Sequence, residues 1–332
     1  MEYTTLGETG LKVSRICLGC MGFGTPSWRD WVLDEVESRP LLERAIDLGI
    51  NFFNTANMYS DGESERVLGN VLAEYDDDWP VIATKVFNPM DEDNPNSWGL
   101  SRKAIEQELE NSLERLGVDT IDLYQTHRWD YRTPIEETLR TLDDAVRRGK
   151  VRYVGASTTY GYQLADALRT SERLGLERFA SMQNHYNLVY REDEREVLPL
   201  CDREGLGVIP WSPLARGYLA RPHEEMDATA RGESDERMYG HPYREGGGIE
   251  VNERVQELAE EKGVSMAQIA LSWLLHNDHV DAPIVGVTSI DHLEQAVEAL
   301  DVSLSESDVE YLEEPYEPVP ISGPLEGPLY DL

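Results

Sequence analysis

Residues 121–157 read "IDLYQTHRWDYRTPIEETLRTLDDAVRRGKVRYVGAS". A short apolar run ends in Gln125, Thr126 and His127; Ile135, Leu139, Leu142 and Val146 then recur on one helical face, and a second apolar run fills 151–157. The hydrophobic period passes from that of a buried strand to 3.6 residues and back, which predicts a parallel strand–helix–strand unit. Thr133, Pro134 and Glu136 form a helix-start signature and Gly149 a stop.

Working outward, the same alternation runs through the chain. Candidate strands are 16–19, 51–56, 81–86, 121–127, 151–157, 179–183, 207–211 and 283–286, with amphipathic segments between them, such as the one carrying Ile105, Leu109, Leu113 and Leu116. Eight strands with helices between them predict an α/β fold, a (β/α)8 TIM barrel spanning residues 1–332 as one domain. An open doubly wound sheet fits less well, because no GxGxxG follows the first strand. An N-terminal β-hairpin is expected in "YTTLGETGLKVS", turning at Glu8 to Gly10, and a Pro- and Gly-rich C-terminal tail begins near 314. That tail and the long segment from 212 to about 250 are expected to cover the catalytic face.

Acidic residues number 64 against 30 basic ones, a formal charge of −34. The acids are dispersed among helical periodicities, so they read as a solvated shell, one that repels nucleic acid and anionic membranes. Such a shell resembles the surfaces of proteins from halophilic, salt-accumulating hosts, where screening relieves self-repulsion. Three cysteines give no disulfide framework, and the start "MEYTTLGETG" has no signal-peptide pattern, so a cytoplasmic chain is expected. No apolar run has the length of a membrane span; "VSMAQIALSWLL" reads as a buried helix. "CLGC" lacks a second pair to complete a metal site, and "HNDH" at 276–279 reads as a helix end.

Polar residues gather at the carboxyl ends of the predicted strands: Asn54 and Tyr59, Lys85, His127, Ser157, Gln183 and Asn184. In a barrel those ends share one rim around a common cavity. Several segments in order, "TGLKVSRICLGCMGFG", "NFFNTANMYSDGESERVLG", "ATKV", "IDLYQTHRWD", "VGAST", "SMQNHYNLVYRE", "IPWSPLARG" and "PIVGVTSIDHLEQAVEAL", resemble the aldo-keto reductase superfamily over nearly the whole chain. The resemblance implies metal-free hydride transfer between NADPH, with NADH the alternative, and an aldehyde or ketone. It makes Tyr59 the catalytic proton donor, Lys85 its partner and His127 the substrate-orienting residue.

The chemistry of the groups agrees with those roles. Carbonyl reduction builds alkoxide character on oxygen, so the site needs a placed acid; a phenol serves if a cation such as Lys85 lowers its pKa. A neutral His127 can donate a hydrogen bond to the same oxygen. Asn54 departs from the family, which usually has an aspartate paired with the lysine there. An amide can accept from Lys85 but brings no charge, so an altered pH dependence is expected; a strand-end residue that caps backbone groups is the plainer account of Asn54.

For the cofactor, the resemblance assigns Ser157, Thr158 and Gln183 to the nicotinamide carboxamide, with Trp211 against the ring. Thr158 stands where relatives commonly have asparagine. Ser212, Leu214 and Arg216 are assigned to the pyrophosphate, and Gly286, Thr288, Ser289 and His292 to the adenosine end, where a helix amino terminus can receive phosphate. His292 replaces a frequent arginine and Ala296 an asparagine. Trp28, Trp31 and Trp129 fall in loops that can line a substrate pocket or pack on the surface. The alternative function is a redox-reporting regulatory subunit, since some barrels of this family resemble the β subunits of potassium channels. The oligomeric state is left open by the sequence.

Overall fold

Two three-residue strands, β1 (Tyr3–Thr5) and β2 (Lys12–Ser14), pair antiparallel at the start of the chain. The computed structural model describes residues 1–75, 79–228 and 243–324. The loop of this hairpin brings Gly7, at φ +51°, so close to the barrel that a Cβ there would lie 2.4 Å from the Gly207 amide nitrogen, which only glycine permits.

Eight further strands follow: β3 (Cys17–Gly19), β4 (Phe52–Asn54), β5 (Val81–Val86), β6 (Ile121–Thr126), β7 (Val151–Ser157), β8 (Phe179–Gln183), β9 (Gly207–Val208) and β10 (Ile284–Gly286). All are parallel, in the order β10-β3-β4-β5-β6-β7-β8-β9. Closure comes from backbone bonds between the outermost pair: Asp281 N donates to Val208 O and Ile284 N to Pro210 O, both at 2.9 Å. The result is a (β/α)8 barrel. β9 is shorter than the 207–211 expected, because Pro210 has no N–H to donate; Ile209 and Trp211 still donate to Met182 O and Asn184 O, so the pairing continues in alternate bonds.

The helices are α1 (Glu35–Asp47), α2 (Glu63–Leu72), α3 (Arg102–Leu116), α4 (Ile135–Arg147), α5 (Gly161–Leu174), α6 (Val197–Glu204), α7 (Gly248–Lys262), α8 (Met266–His276), α9 (Ile290–Glu298) and α10 (Glu306–Glu313). Among the described residues, none is long and apolar enough to cross a membrane. "VSMAQIALSWLL" forms α8, with Ser265 accepting from Gln268 N and all residues from Met266 to Leu274 except Ala267 buried. The helix-start reading at 133–136 needs correction. Pro134 holds the N-cap position and caps with no side chain, while the Thr133 hydroxyl donates to Asp130 Oδ2. The helix therefore begins one residue later than expected, at Ile135.

Two cores result. Inside the barrel Cys17, Phe52, Val81, Ala83, Leu123, Ile209, Ala282 and Ile284 pack together, and the hairpin's Leu6 and Val13 seal them from below. Burying a side chain of that kind is worth about 1.5–3 kcal/mol. Between strands and helices lies the larger core, including Phe53, Ile82, Val86 and Tyr124. Strand alternation sends residues of one parity inward and the other outward.

Residues 229–242 and 325–332, parts of the two segments expected to cover the catalytic face, lie outside the described residues, as do 76–78. The described part of the tail crosses the rim. Val319 N donates to Glu192 Oε1 at 2.9 Å, Ser322 exchanges bonds with the Tyr190 hydroxyl, and Arg128 Nη1 donates to Gly323 O at 2.6 Å.

Candidate active site

Inward parity carries the polar strand ends to one place. Lys85 follows Val81 and Ala83, Asn54 follows Phe52, and Gln125 and His127 follow Leu123, so each points inward above an apolar layer. β4 and β5 pair Asn54 with Ala83, which sets the amide diagonally beside Lys85. The Lys85 side chain is completely buried. Its Nζ donates to Asn54 Oδ1 at 2.7 Å, to Thr55 O at 2.7 Å and to the Tyr59 hydroxyl at 3.2 Å. Tyr59 arrives from the turn after β4, and His127 meets its ring edge-on, with centroids 5.9 Å apart and an 84° interplanar angle. Trp28 lies on another side, its ring 6.4 Å from that of Tyr59.

Burial dominates the electrostatics. It lowers the Lys85 ammonium to about 7, against opposing pulls from Cys17, Cys20 and, less strongly, Glu65, and with a reinforcing push from Arg128. The Asn54 amide accepts from the ammonium but brings no charge to offset that burial. The Tyr59 phenol is pushed up to about 12, again by burial, and the cations that draw it down are Arg128 and Arg29. Near neutral pH Tyr59 keeps its proton, as a proton donor must. His127 lies well below its ordinary value through burial and the neighbouring Lys85 and Arg128 charges, so its ring is neutral. Asn88 Nδ2 stands 3.3 Å from His127 Nδ1; a ring that accepts there carries its proton on Nε2.

Backbone strain marks the same rim. Among the described residues, the non-glycine positions with positive φ are Ser60, Asp61, Thr158, Ser212, Ala215 and Arg216. Two follow Tyr59, and four stand at the ends of β7 and β9. Left-handed conformations of such residues cost on the order of 1–3 kcal/mol each and gather where function requires them. Buried polar atoms without partners gather there too: Asn54 Nδ2, Gln125 Nε2, Ser181 Oγ and Asn184 Oδ1.

A model of the aldo/keto reductase family matches residues 15–317. A Schizosaccharomyces pombe protein carrying the name of an aryl-alcohol dehydrogenase is 43% identical, covering 97% of this chain and 98% of its own length. Versiconal hemiacetal acetate reductase of Aspergillus parasiticus is 42% identical over 96% and 98%, and an aldo-keto reductase of Metarhizium robertsii 40% over 97% and 93%. The chain belongs to the aldo/keto reductase family. It is an NAD(P)H-dependent oxidoreductase.

The reductase's own groups fit a nicotinamide cofactor. Ser157 and Gln183 end paired strands, β7 and β8, and Gln183 Nε2 donates to Gln125 Oε1 at 3.2 Å. Asn184 Nδ2 donates to Asp193 Oδ2 at 3.0 Å, and its Oδ1 is buried without a partner. The Thr158 hydroxyl is engaged by Trp211 Nε1 at 3.2 Å and by Ser157 Oγ at 3.0 Å. Trp211 stacks on His185, with centroids 4.0 Å apart, and Gly323 of the tail borders the same ring: a Cβ there would lie 3.3 Å from Trp211 Cζ2. Ser212 and Arg216 occupy the strained turn after β9, whereas Leu214 packs against the outer core. Gly286, Thr288, Ser289 and His292 form a second group, at the start of α9. There Ser289 Oγ accepts from His292 N, and Thr288 Oγ1 is 3.5 Å from His292 Nδ1.

Of the three tryptophans, Trp28 is set against Tyr59, Trp31 lies with Arg29, 5.6 Å away, and Trp129 packs against the outer core. Sequence reasoning missed Asn88, Arg128 and Glu65. The first two follow Lys85 and His127 at strand ends, a positional signal available to it; Glu65 had no signal beyond a helical charge.

Proposed function

We propose that this reductase interconverts an aldehyde or ketone and its alcohol, with Tyr59 giving the proton, Lys85 sustaining its proton supply and His127 orienting the carbonyl. The carrying observation is the Lys85 ammonium bound at once to Asn54, Thr55 and Tyr59, with His127 against the Tyr59 ring. The bound nicotinamide supplies or accepts the hydride. In the reducing direction the Tyr59 hydroxyl transfers its proton to the carbonyl oxygen as negative charge develops there, and the neutral His127 ring donates a hydrogen bond to that oxygen. Lys85, bonded to the phenol oxygen, stabilises the phenolate left behind.

NADPH is the first choice and NADH the second, with Ser157, Thr158, Gln183, Trp211, Ser212, Leu214, Arg216, Gly286, Thr288, Ser289 and His292 the binding residues. Trp28 beside Tyr59, together with the relative named for aryl alcohols, favours aromatic carbonyls. A cytoplasmic setting in a salt-accumulating host belongs to the same proposal, supported by the formal charge of −34.

The test is cofactor oxidation over a panel of aromatic and aliphatic carbonyls, with NADPH and NADH, in low and molar KCl. Turnover should be highest with NADPH and an aromatic aldehyde, should rise with KCl, and should fall by about 10²–10⁴-fold in Tyr59→Phe. Full activity in that variant would end the mechanism. Tight cofactor binding with negligible turnover across the panel would favour a redox-reporting subunit, for which the uncharged Asn54 is the supporting feature.

A further inference from the structure

Behind the lysine, on the outer side of the sheet, lies a buried charge cluster that the roles above do not use. Glu65, at the start of α2, is completely buried. It accepts from Thr84 Oγ1 at 2.5 Å and from Arg115 Nε at 2.6 Å. Arg115 Nη2 also lies 3.6 Å from Glu108 Oε2, which accepts from Asn57 Nδ2 at 3.0 Å. Two carboxylates thus face one guanidinium, leaving one formal negative charge in excess.

The cluster is fastened to the lysine's own supports. Thr84, which bonds Glu65, precedes Lys85 in β5. Ser64, which precedes Glu65, bonds Thr55 Oγ1 at 2.8 Å and Cys20 O at 2.7 Å. Thr55 O is in turn an acceptor for Lys85 Nζ. Helix α2 therefore fixes Glu65 against the two strands that hold the ammonium.

We propose that Glu65 is a positioning residue for the reaction, supplying from behind the sheet the negative charge that Asn54 does not, and so setting the fraction of Lys85 that is protonated near neutral pH. The inference rests on the reading that Lys85 acts on Tyr59. The other groups facing Lys85 do not provide that charge. Burial pushes the Cys17 thiol well up and the Cys20 thiol to about 12, so both are neutral. Tyr59 keeps its proton, His127 is neutral, and Arg128 is a cation that works against the ammonium. Glu65 itself faces Arg115, Glu108 and the Tyr124 phenol, which burial keeps protonated.

The sign follows directly. Activity that needs the ammonium is lost as pH rises through the Lys85 pKa of about 7. Glu65→Gln weakens the ammonium, so the alkaline limb of turnover should move down by roughly half a unit to one unit. Adding Asn54→Asp should bring the limb back to the wild-type position or beyond, a rescue that a purely structural role does not give.

An equal loss of turnover at every pH, with the limb unmoved, would overturn the proposal. Should Glu65→Gln not fold, Glu108→Gln removes charge from the same cluster while keeping every bond of Glu65. Its limb should move in the same direction by less, and an unmoved limb would again overturn the proposal. Lys85→Met and Tyr59→Phe serve as the separate control. If either keeps wild-type turnover, the reading of the site itself fails; if both lose it while the Glu65 and Glu108 variants leave the limb in place, this inference alone fails.

Discussion

At the floor of the barrel, Asp281 Oδ2 accepts from Gly7 N at 3.1 Å and Val208 N at 3.0 Å, and Arg15 donates to the carbonyls of Leu275, Val280 and Asp281. At the rim, Lys85 is held by one side-chain amide, one carbonyl and the hydroxyl of Tyr59. Both ends draw an ionisable group out of solvent, Lys85 wholly and Asp281 in part, and this shifts each toward its neutral form: Asp281 up to about 6, Lys85 down to about 7. The floor couples its group to backbone that joins the hairpin to the closing strands, so a change of charge there acts on stability. The rim couples its group to a phenol, amid strained turns and unpartnered polar atoms, so a change of charge there acts on chemistry.

The sharpest way to break that contrast is Lys85→Met. An apolar side chain of similar length removes a buried cation, so the melting temperature should hold or rise while turnover falls by about 10²–10⁴-fold. A large loss of stability with turnover retained would place Lys85 in the same class as the floor residues. A finer test is Asn54→Asp. A carboxylate 2.7 Å from Nζ favours the ammonium, so the alkaline limb, set in the wild type by a pKa of about 7, should move upward by about 1–3 units. Turnover measured from pH 6 to 10 checks it, and an unchanged profile would remove residue 54 from the mechanism.

Strands and rim were legible because the signals are local. "VIATKV" is a strand by its apolar run, and its parity alone turns Lys85 to the inside. The helix start is less sharply written, and the N-cap falls on Pro134, one residue after Thr133. Other features lie in contacts that no local pattern carries. Glu65 meets Arg115 across 50 positions and Thr84 across 19, and in sequence it is one more acid on a helix of an acid-rich chain. Arg128 reaches Gly323 across 195 positions, so the course of the tail over Trp211 emerges only in three dimensions. The depth of burial that raises the Tyr59 phenol is another such feature, since the nearby cation is visible in sequence and the burial is not.

The smallest effect belongs to the floor. Asp281 has a folded pKa of about 6, raised from the ordinary carboxylate range mainly by burial. A raised folded pKa means that the fold binds the proton more tightly than the unfolded chain, so this contribution to stability is complete below about pH 4 and is lost as pH rises through 6. Asp281→Asn keeps an oxygen that can accept from Gly7 N and Val208 N but has no charge to desolvate. The stability difference between wild type and variant should therefore change between pH 4.5 and 7.5, in favour of the variant at the higher pH, by about 1–2 kcal/mol in urea unfolding. Turnover at pH 7 should be unchanged. If the variant is instead weaker at pH 7.5 than at 4.5, the two amides require an ionised acceptor, and the floor is held by charge in the way proposed for the rim.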